Sequence, residues 1–195
     1  MKRIADFFFE AGILKNTPRS GWSFLPGSKG ESVAEHSFRT ALIAWSLARL
    51  SPELDAGRVV ELALCHDLAE ARCSDLNYVH QKYVRVDEAR AAADQARGLP
   101  FEKELLGLDE EYREASSPEA ILVHDADQLE MLLSLKEALD GGASGAEDWI
   151  SFALRRLQTP PAKRIAEAIL AGRCEDWWFD RDSDWWVRGA RDRKS

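Results

Sequence analysis

Apolar residues recur at helical spacing along most of the chain, and runs of alternating β-branched residues are absent. That pattern restricts the fold to packed helices before any other feature is weighed. Ile4, Phe7, Phe8, Ala11 and Leu14 draw one stripe over residues 2–14. A Gly/Pro-rich loop follows over 15–30, and then Ser32-Val33-Ala34-Glu35 reads as a capping box opening a helix to about Leu50. Apolar residues occupy two sides of that helix, Val33/Ile43/Leu47/Leu50 and Phe38/Ala41/Trp45/Ala48, so a central, mostly buried helix is expected. Ser51-Pro52-Glu53 reads as the start of another element, and residues 57–73 as one strongly apolar helix. Further helices are expected over 87–97, 101–115, 118–139, 146–158 and 160–171, with the Gly141-Gly142-Ala143-Ser144-Gly145 run as a linker. The expectation is an all-α bundle of seven to nine helices over residues 1–172. A tryptophan-rich extension over 173–195 would pack on the domain or on a partner subunit, and residues 191–195 are expected to fray.

A length of 195 residues suits one domain with at most an appendage. Twenty-six Lys+Arg against 34 Asp+Glu leave a net charge of -8. That balance argues against binding a nucleic-acid polymer, which needs cations along its phosphates, yet permits a small phosphorylated ligand. Acids between the tail tryptophans likewise discount a base-stacking platform there. Three cysteines, Cys65, Cys73 and Cys174, are too few and too oddly spaced for a disulfide scaffold or a CxxC zinc site. The N-terminal segment begins with basic then apolar residues, but Asp6 and Glu10 interrupt it, so no signal segment is expected. No run of 18 apolar residues occurs, and the expectation is a soluble cytoplasmic protein without membrane partners.

The chain has four histidines, so their places are informative. His66-Asp67 lies within an apolar helix, where burying adjacent imidazole and carboxylate groups costs several kcal/mol unless they are paired or metal-bound. Val59, Leu62, His66, Ala69 and Cys73 share one face of the expected helix, and Glu70 projects beside both His66 and Asp67. His36 falls on the first turn of the capped helix, and Asp127 shares a face with Val123, His124 and Met131. Two His and two Asp on three inward-facing helices suit a divalent metal, with satisfied core histidines as the competing reading. Periodicity does not choose between Asp125 and Asp127.

His36, His66-Asp67 and Asp127 follow the H…HD…D order of HD-domain metal-dependent phosphohydrolases, and flanking segments sharpen the likeness. Thr17-Pro18-Arg19-Ser20-Gly21-Trp22, Glu31-Ser32-Val33-Ala34-Glu35-His36-Ser37, Cys65-His66-Asp67-Leu68-Ala69-Glu70 and Asp125-Ala126-Asp127-Gln128-Leu129-Glu130-Met131 resemble the 5′-deoxynucleotidase family over roughly residues 1–170. The resemblance implies one divalent transition metal (Co, Mn, Fe, Ni or Zn) on His36, His66, Asp67 and Asp127, selecting Asp127 over Asp125. It implies a catalytic role for Glu70 and a second acidic position at Asp75, where Ser74 stands in place of the family's usual Gly. It puts Arg19 on the substrate phosphate, Trp22 beside the sugar, and the chain in a homodimer. For the homodimer the sequence itself offers only the Phe7-Phe8-Phe9 run and the tail as contacts.

Electrostatics supports the arginine independently. A divalent cation with two carboxylates and two neutral imidazoles is neutral, and Glu70 adds a negative charge, so a phosphate dianion needs another cation. Arg19 can bond its oxygens in pairs. The metal would polarise the phosphoryl oxygen and acidify a bound water, while Glu70 orients that water or trades protons with the leaving oxygen. A second metal would need extra histidines, for which His80 and His124 are the candidates; His80 reads as a polar position near the cleft. The expected activity is hydrolysis of nucleoside 5′-monophosphates, deoxyribonucleotides foremost. The alternatives are another small phosphoester or nucleotide polyphosphate on the same metal, or a non-catalytic metal-stabilised binding module.

Overall fold

The computed structural model describes residues 1–189, so the expectation for 191–195 falls outside the described residues. Eight helices of nine residues or more carry the fold: α1 (Lys2–Ala11), α2 (Val33–Arg49), α3 (Ala56–Cys65), α5 (Glu88–Ala96), α6 (Glu102–Glu114), α7 (Pro118–Asp140), α8 (Ala146–Arg156) and α9 (Pro160–Ala171). Two single turns, α4 (Glu70–Cys73) and α10 (Trp185–Arg188), complete the series. Among the described residues the β-type pairing is an isolated antiparallel bridge, Pro18 to Ser32. The all-α expectation and its helix number hold. No helix among the described residues is long and apolar enough to cross a membrane.

The spine is α7, buried along both sides through Leu122, Val123, Ala126, Leu129, Leu132 and Leu135. Helices α2 and α3 pack together against it, and α8 and α9 cover its other flank. A smaller cluster of Phe7, Ala96, Leu99 and Leu105 joins α1 to the α5–α6 pair. Short polar caps fix where these helices begin. Ser32 and Glu35 form the expected capping box, with Glu35 N donating to Ser32 Oγ at 3.2 Å and Ser32 N to Glu35 Oε2 at 2.7 Å. Ser117 accepts from Ala120 N at 3.0 Å, just before Pro118.

Three expectations need correction. The element expected to start at Ser51-Pro52-Glu53 is a turn, and the helix after it, α3, begins at Ala56, where the Asp55 carboxylate accepts from Gly57 N and Arg58 N at 2.9 and 3.2 Å. The second apolar side of α2 is only partly buried: Ala48 is covered, but Phe38 is 72% and Trp45 46% exposed, because α3 and α7 pack mainly on the His36/Thr40/Ala44/Leu47 side. The continuous 57–73 helix is broken at residues 66–69. There His66 Nδ1 donates to Ala63 O at 2.8 Å, taking the carbonyl a continuing helix would offer to the Asp67 N–H. The chain then tightens through Leu68 N to Cys65 O, Glu70 N to Asp67 O and Ala71 N to Leu68 O, all spaced three residues apart.

After α9 the tail forms an aromatic cluster of its own. Trp178–Trp186, Phe179–Trp186 and Trp185–Trp186 centroids lie 5.9, 5.0 and 4.9 Å apart. Trp177 is 86% exposed, and a hydrogen bond from Cys174 N to Asp140 Oδ2 at 2.9 Å ties the segment to the end of α7.

Candidate metal centre

The loop before α2 is folded back by its bridge, with Arg19 N donating to Glu31 O at 2.9 Å and Val33 N to Thr17 O at 2.8 Å. This hairpin-like return carries Arg19 over the start of α2. Asp75 fixes the next residue, its Oδ2 accepting from Ser20 N at 3.1 Å and its carbonyl from Ser20 Oγ at 2.9 Å. Arg19 is thereby held across three carboxylates: Nη1 lies 3.4 Å from Asp67 Oδ2, Nε 3.6 Å from Asp75 Oδ2 and Nη2 3.8 Å from Asp127 Oδ1.

Beneath the guanidinium, His36 on α2 and His66 at the end of α3 present Nε2 atoms 3.4 Å apart. Both tautomers are fixed from behind. His36 Nδ1 donates to Glu130 Oε2 at 2.6 Å, and His66 Nδ1 to the Ala63 carbonyl. His36 Nε2 lies 3.1 Å from Asp127 Oδ1, and His66 Nε2 3.2 Å from Asp67 Oδ2. Donor atoms of His36, His66 and Asp67 fall within 4.8 Å of one another. All four residues named from the sequence therefore come together, and the break in α3 is what turns adjacent His66 and Asp67 both inward.

The donor set suits a divalent cation. Both imidazoles have their other nitrogens committed, donor atoms of His36, His66 and Asp67 lie close together, and Asp127 stands against His36, an arrangement metal ligands use. Burial opposes it, yet hydrogen bonds to Asp127 and Glu130 push His36 up to about 10. Despite burial Asp127 stays well below the usual carboxylate range, drawn down by His36, and Asp67 is lowered by His66. Glu70 behaves oppositely: burial, then Asp67 and Asp75, push its carboxyl up to about 9. Its Oε2 is buried without a hydrogen-bond partner among the described residues. Burial also raises Asp75, offset by Arg19.

A family model described as HD domain matches residues 11–169. The chain belongs to the HD-domain family. The 5′-deoxynucleotidase HDDC2 of Bos taurus is 36% identical over 71% of this chain and 69% of its own, and that of Homo sapiens 35% over 71% and 70%. Among solved structures, a conserved hypothetical protein from Pyrococcus furiosus superposes with a TM-score of 0.75, 34% identity, and coverage of 86% of this chain and 99% of its own. A predicted metal-dependent phosphohydrolase from Magnetospirillum magnetotacticum follows at 0.69, with 26% identity over 87% and 93%.

This HD domain separates the two aspartates that periodicity left open. Asp125 faces away from the centre, accepting from Gln158 N at 2.8 Å and Thr159 N at 2.7 Å where α9 begins. His124 is also engaged elsewhere, its Nε2 bonded to Tyr112 O at 2.8 Å and its ring stacked on Tyr112 at 4.1 Å. His80 meets Asn77 Nδ2 through Nδ1 at 3.1 Å. Trp22 packs on Trp149, 6.4 Å between centroids, and donates from Nε1 to Glu31 Oε1 at 2.9 Å. Sequence reasoning missed Glu130, Arg39, Glu31 and Tyr112. Glu130 had a readable signal: a carboxylate three positions after Asp127, on the same side of the helix. Tyr112 had none. Its burial, and the neighbouring Asp127 and Asp67, raise its hydroxyl well above the ordinary tyrosine value.

Proposed function

We propose that this HD domain is a metal-dependent phosphomonoesterase that hydrolyses nucleoside 5′-monophosphates, 2′-deoxyribonucleotides foremost, to nucleoside and phosphate. The observation that carries this is the gathering of His36, His66, Asp67 and Asp127 under Arg19, beside the buried Glu70 carboxyl. The relatives named 5′-deoxynucleotidase support the substrate class. His36, His66, Asp67 and Asp127 would hold one divalent transition metal, its identity left to experiment. When bound, that metal supplies a Lewis acid for a phosphoryl oxygen and acidifies water at neutral pH.

The chain's own groups do the rest. Arg19 turns its fork to the phosphate oxygens, with Asp75 holding the loop that carries it. Trp22 borders the sugar. Water oxygen joins phosphorus as the P–O5′ bond breaks; Glu70 gives its proton to the leaving 5′-oxygen and recovers one from the attacking water. The enzyme works as a homodimer in the cytoplasm in this reading. The outward α2 stripe of Phe38, Leu42 and Trp45, with exposed Phe8 and Phe9 on α1, supports the first point, and three free cysteines the second. Residues 1–172 form the catalytic domain and 173–195 an extension.

The test is phosphate release from deoxy- and ribonucleoside 5′-monophosphates by chelator-stripped protein, with each divalent metal added back. Release that returns with metal and favours deoxy substrates is expected. Silence on all monophosphates with one metal bound per chain overturns the proposal. Release from polyphosphates or other phosphoesters would then identify a different phosphohydrolase, and none at all a binding module.

A further inference from the structure

We propose that Glu130 and Arg39 are positioning residues for His36, fixing its tautomer and direction and so setting how tightly the metal is held. The inference rests on reading His36 as a metal ligand. Glu130 lies one turn beyond Asp127 on α7 and is fully buried. Its two oxygens serve two different partners. Oε2 accepts from His36 Nδ1 at 2.6 Å, while Oε1 accepts from Arg39 Nε at 2.9 Å and Nη2 at 2.8 Å. Ser134 Oγ adds a third donor to Oε1 at 3.2 Å, and Arg39 Nη1 reaches on to Glu137 Oε1 at 2.6 Å.

A buried carboxylate is costly unless paired and hydrogen-bonded, and the planar Arg39 fork provides both. An ionised acceptor behind Nδ1 keeps the proton there, leaves Nε2 free toward Asp127 and His66, and makes it more basic. His66 has no such support, since its Nδ1 rests on the neutral Ala63 carbonyl. The two histidines of the centre are therefore unequal, and His36 is the one whose donor strength the protein tunes.

Glu31, His36 and Glu130 also bring donor atoms within 4.8 Å of one another. They do not make a second cation site, because both Glu130 oxygens are engaged as above and Glu31 Oε1 takes the Trp22 indole. What remains to be separated is a bond that only ties α2 to α7 from one that tunes the metal. The former would change stability and leave metal binding alone.

The experiment measures Co(II) affinity by chelator competition, and the Co(II) visible spectrum, on the full chain and on Glu130→Gln, Glu130→Asp, Arg39→Gln and His36→Ala, each checked for fold by circular dichroism. Glu130→Gln should weaken Co(II) binding by about 10–100-fold and shift the spectrum. Arg39→Gln should weaken it less, Glu130→Asp should recover part of the loss, and KM at saturating metal should stay unchanged. Folded Glu130→Gln with wild-type affinity and spectrum overturns the inference. If Glu130→Gln does not fold, Arg39→Gln decides: unchanged affinity overturns it and a weakened one supports it. His36→Ala separates the two claims. Wild-type Co(II) affinity in His36→Ala would overturn the reading of the centre itself, whereas loss there with no change at Glu130 or Arg39 would overturn the inference alone.

Discussion

One wall of the centre is made by α2 and α7, two long capped helices that place His36 and Asp127 by regular periodicity and back His36 with Glu130 and Arg39. The opposite wall is residues 66–75, where α3 stops, a tight turn follows, α4 lasts one turn, and Ser74 adopts φ 61° and ψ 159°. A regular helix cannot aim two adjacent side chains at one point. The interrupted wall can, and it delivers His66 with Asp67 and then Glu70 with Asp75. The regular wall therefore suits holding a cation in fixed geometry. The irregular wall buries Glu70 and sets it beside Asp67 and Asp75, which together push its carboxyl up to about 9.

If the irregular wall adds transfer chemistry to the two metal donors it carries, a change at Glu70 alone should stop turnover and spare the metal. Glu70→Gln keeps the shape and hydrogen-bonding capacity of a protonated Glu70 but cannot pass a proton. Its kcat should fall by about 10²–10⁴ while metal content stays at one per chain. Turnover within a few-fold of wild type would remove Glu70 from the chemistry and end the contrast.

On the regular wall the next effect is on metal uptake. His36 must be neutral at Nε2 to take a cation, and its value of about 10 lies above the ordinary 6.5, so uptake below pH 10 expels its proton. Metal affinity should rise about tenfold per pH unit between pH 7 and 9, seen by chelator competition and proton release. The same raised value makes a stability contribution that is full below pH 6.5 and lost as pH rises through 10. Glu70, raised from 4.5 to about 9, acts in the same direction. Stripped protein should therefore melt at lower temperature at pH 9.5 than at pH 6.5, and a flat profile would contradict both assignments.

Much of this was legible in the chain itself. The Ser32–Glu35 box, the helix periods and the His66-Asp67 pair in an apolar context pointed to the elements that carry His36, His66 and Asp67, and the resemblance added Asp127. Three features were not legible, each for a local reason. The break after Cys65 depends on which carbonyl the His66 side chain captures, and periodicity carries no trace of that. The outward turn of Phe38 and Trp45 was ambiguous because a helix apolar on two sides does not declare which one its neighbours cover. Asp125 and Asp127 differ only by the company their faces keep, which needs α9 in place.

That pair gives a smaller, purely structural test of the same division. Asp125→Asn loses the charge that receives Gln158 N and Thr159 N at the start of α9, at a cost of about 1–3 kcal/mol. Metal content and kcat should hold. Asp127→Asn should instead lose the metal, and the chelated protein should also lose the share of pH-dependent stability that the His36–Asp127 pair provides. Equal metal loss from both would mean that α9 docking, not ligand identity, controls the centre.

The smallest effect probes the strain that the irregular wall carries. The Ser74 backbone occupies a region that only glycine visits freely, and a side chain there costs about 1–3 kcal/mol. Glycine removes that cost but gives up about 0.5–1 kcal/mol to the greater freedom of its unfolded chain. Ser74→Gly should therefore gain about 1 kcal/mol and raise Tm by about 2–4 °C. Because the turn keeps its path, Arg19 stays anchored through Asp75 and Ser20, and metal affinity should not move. A rise in Tm with unchanged affinity places the strain in the turn and outside the ligand frame. A fall in Tm would mean that Ser74 is unstrained, and the contrast between the two walls would then rest on Glu70 alone.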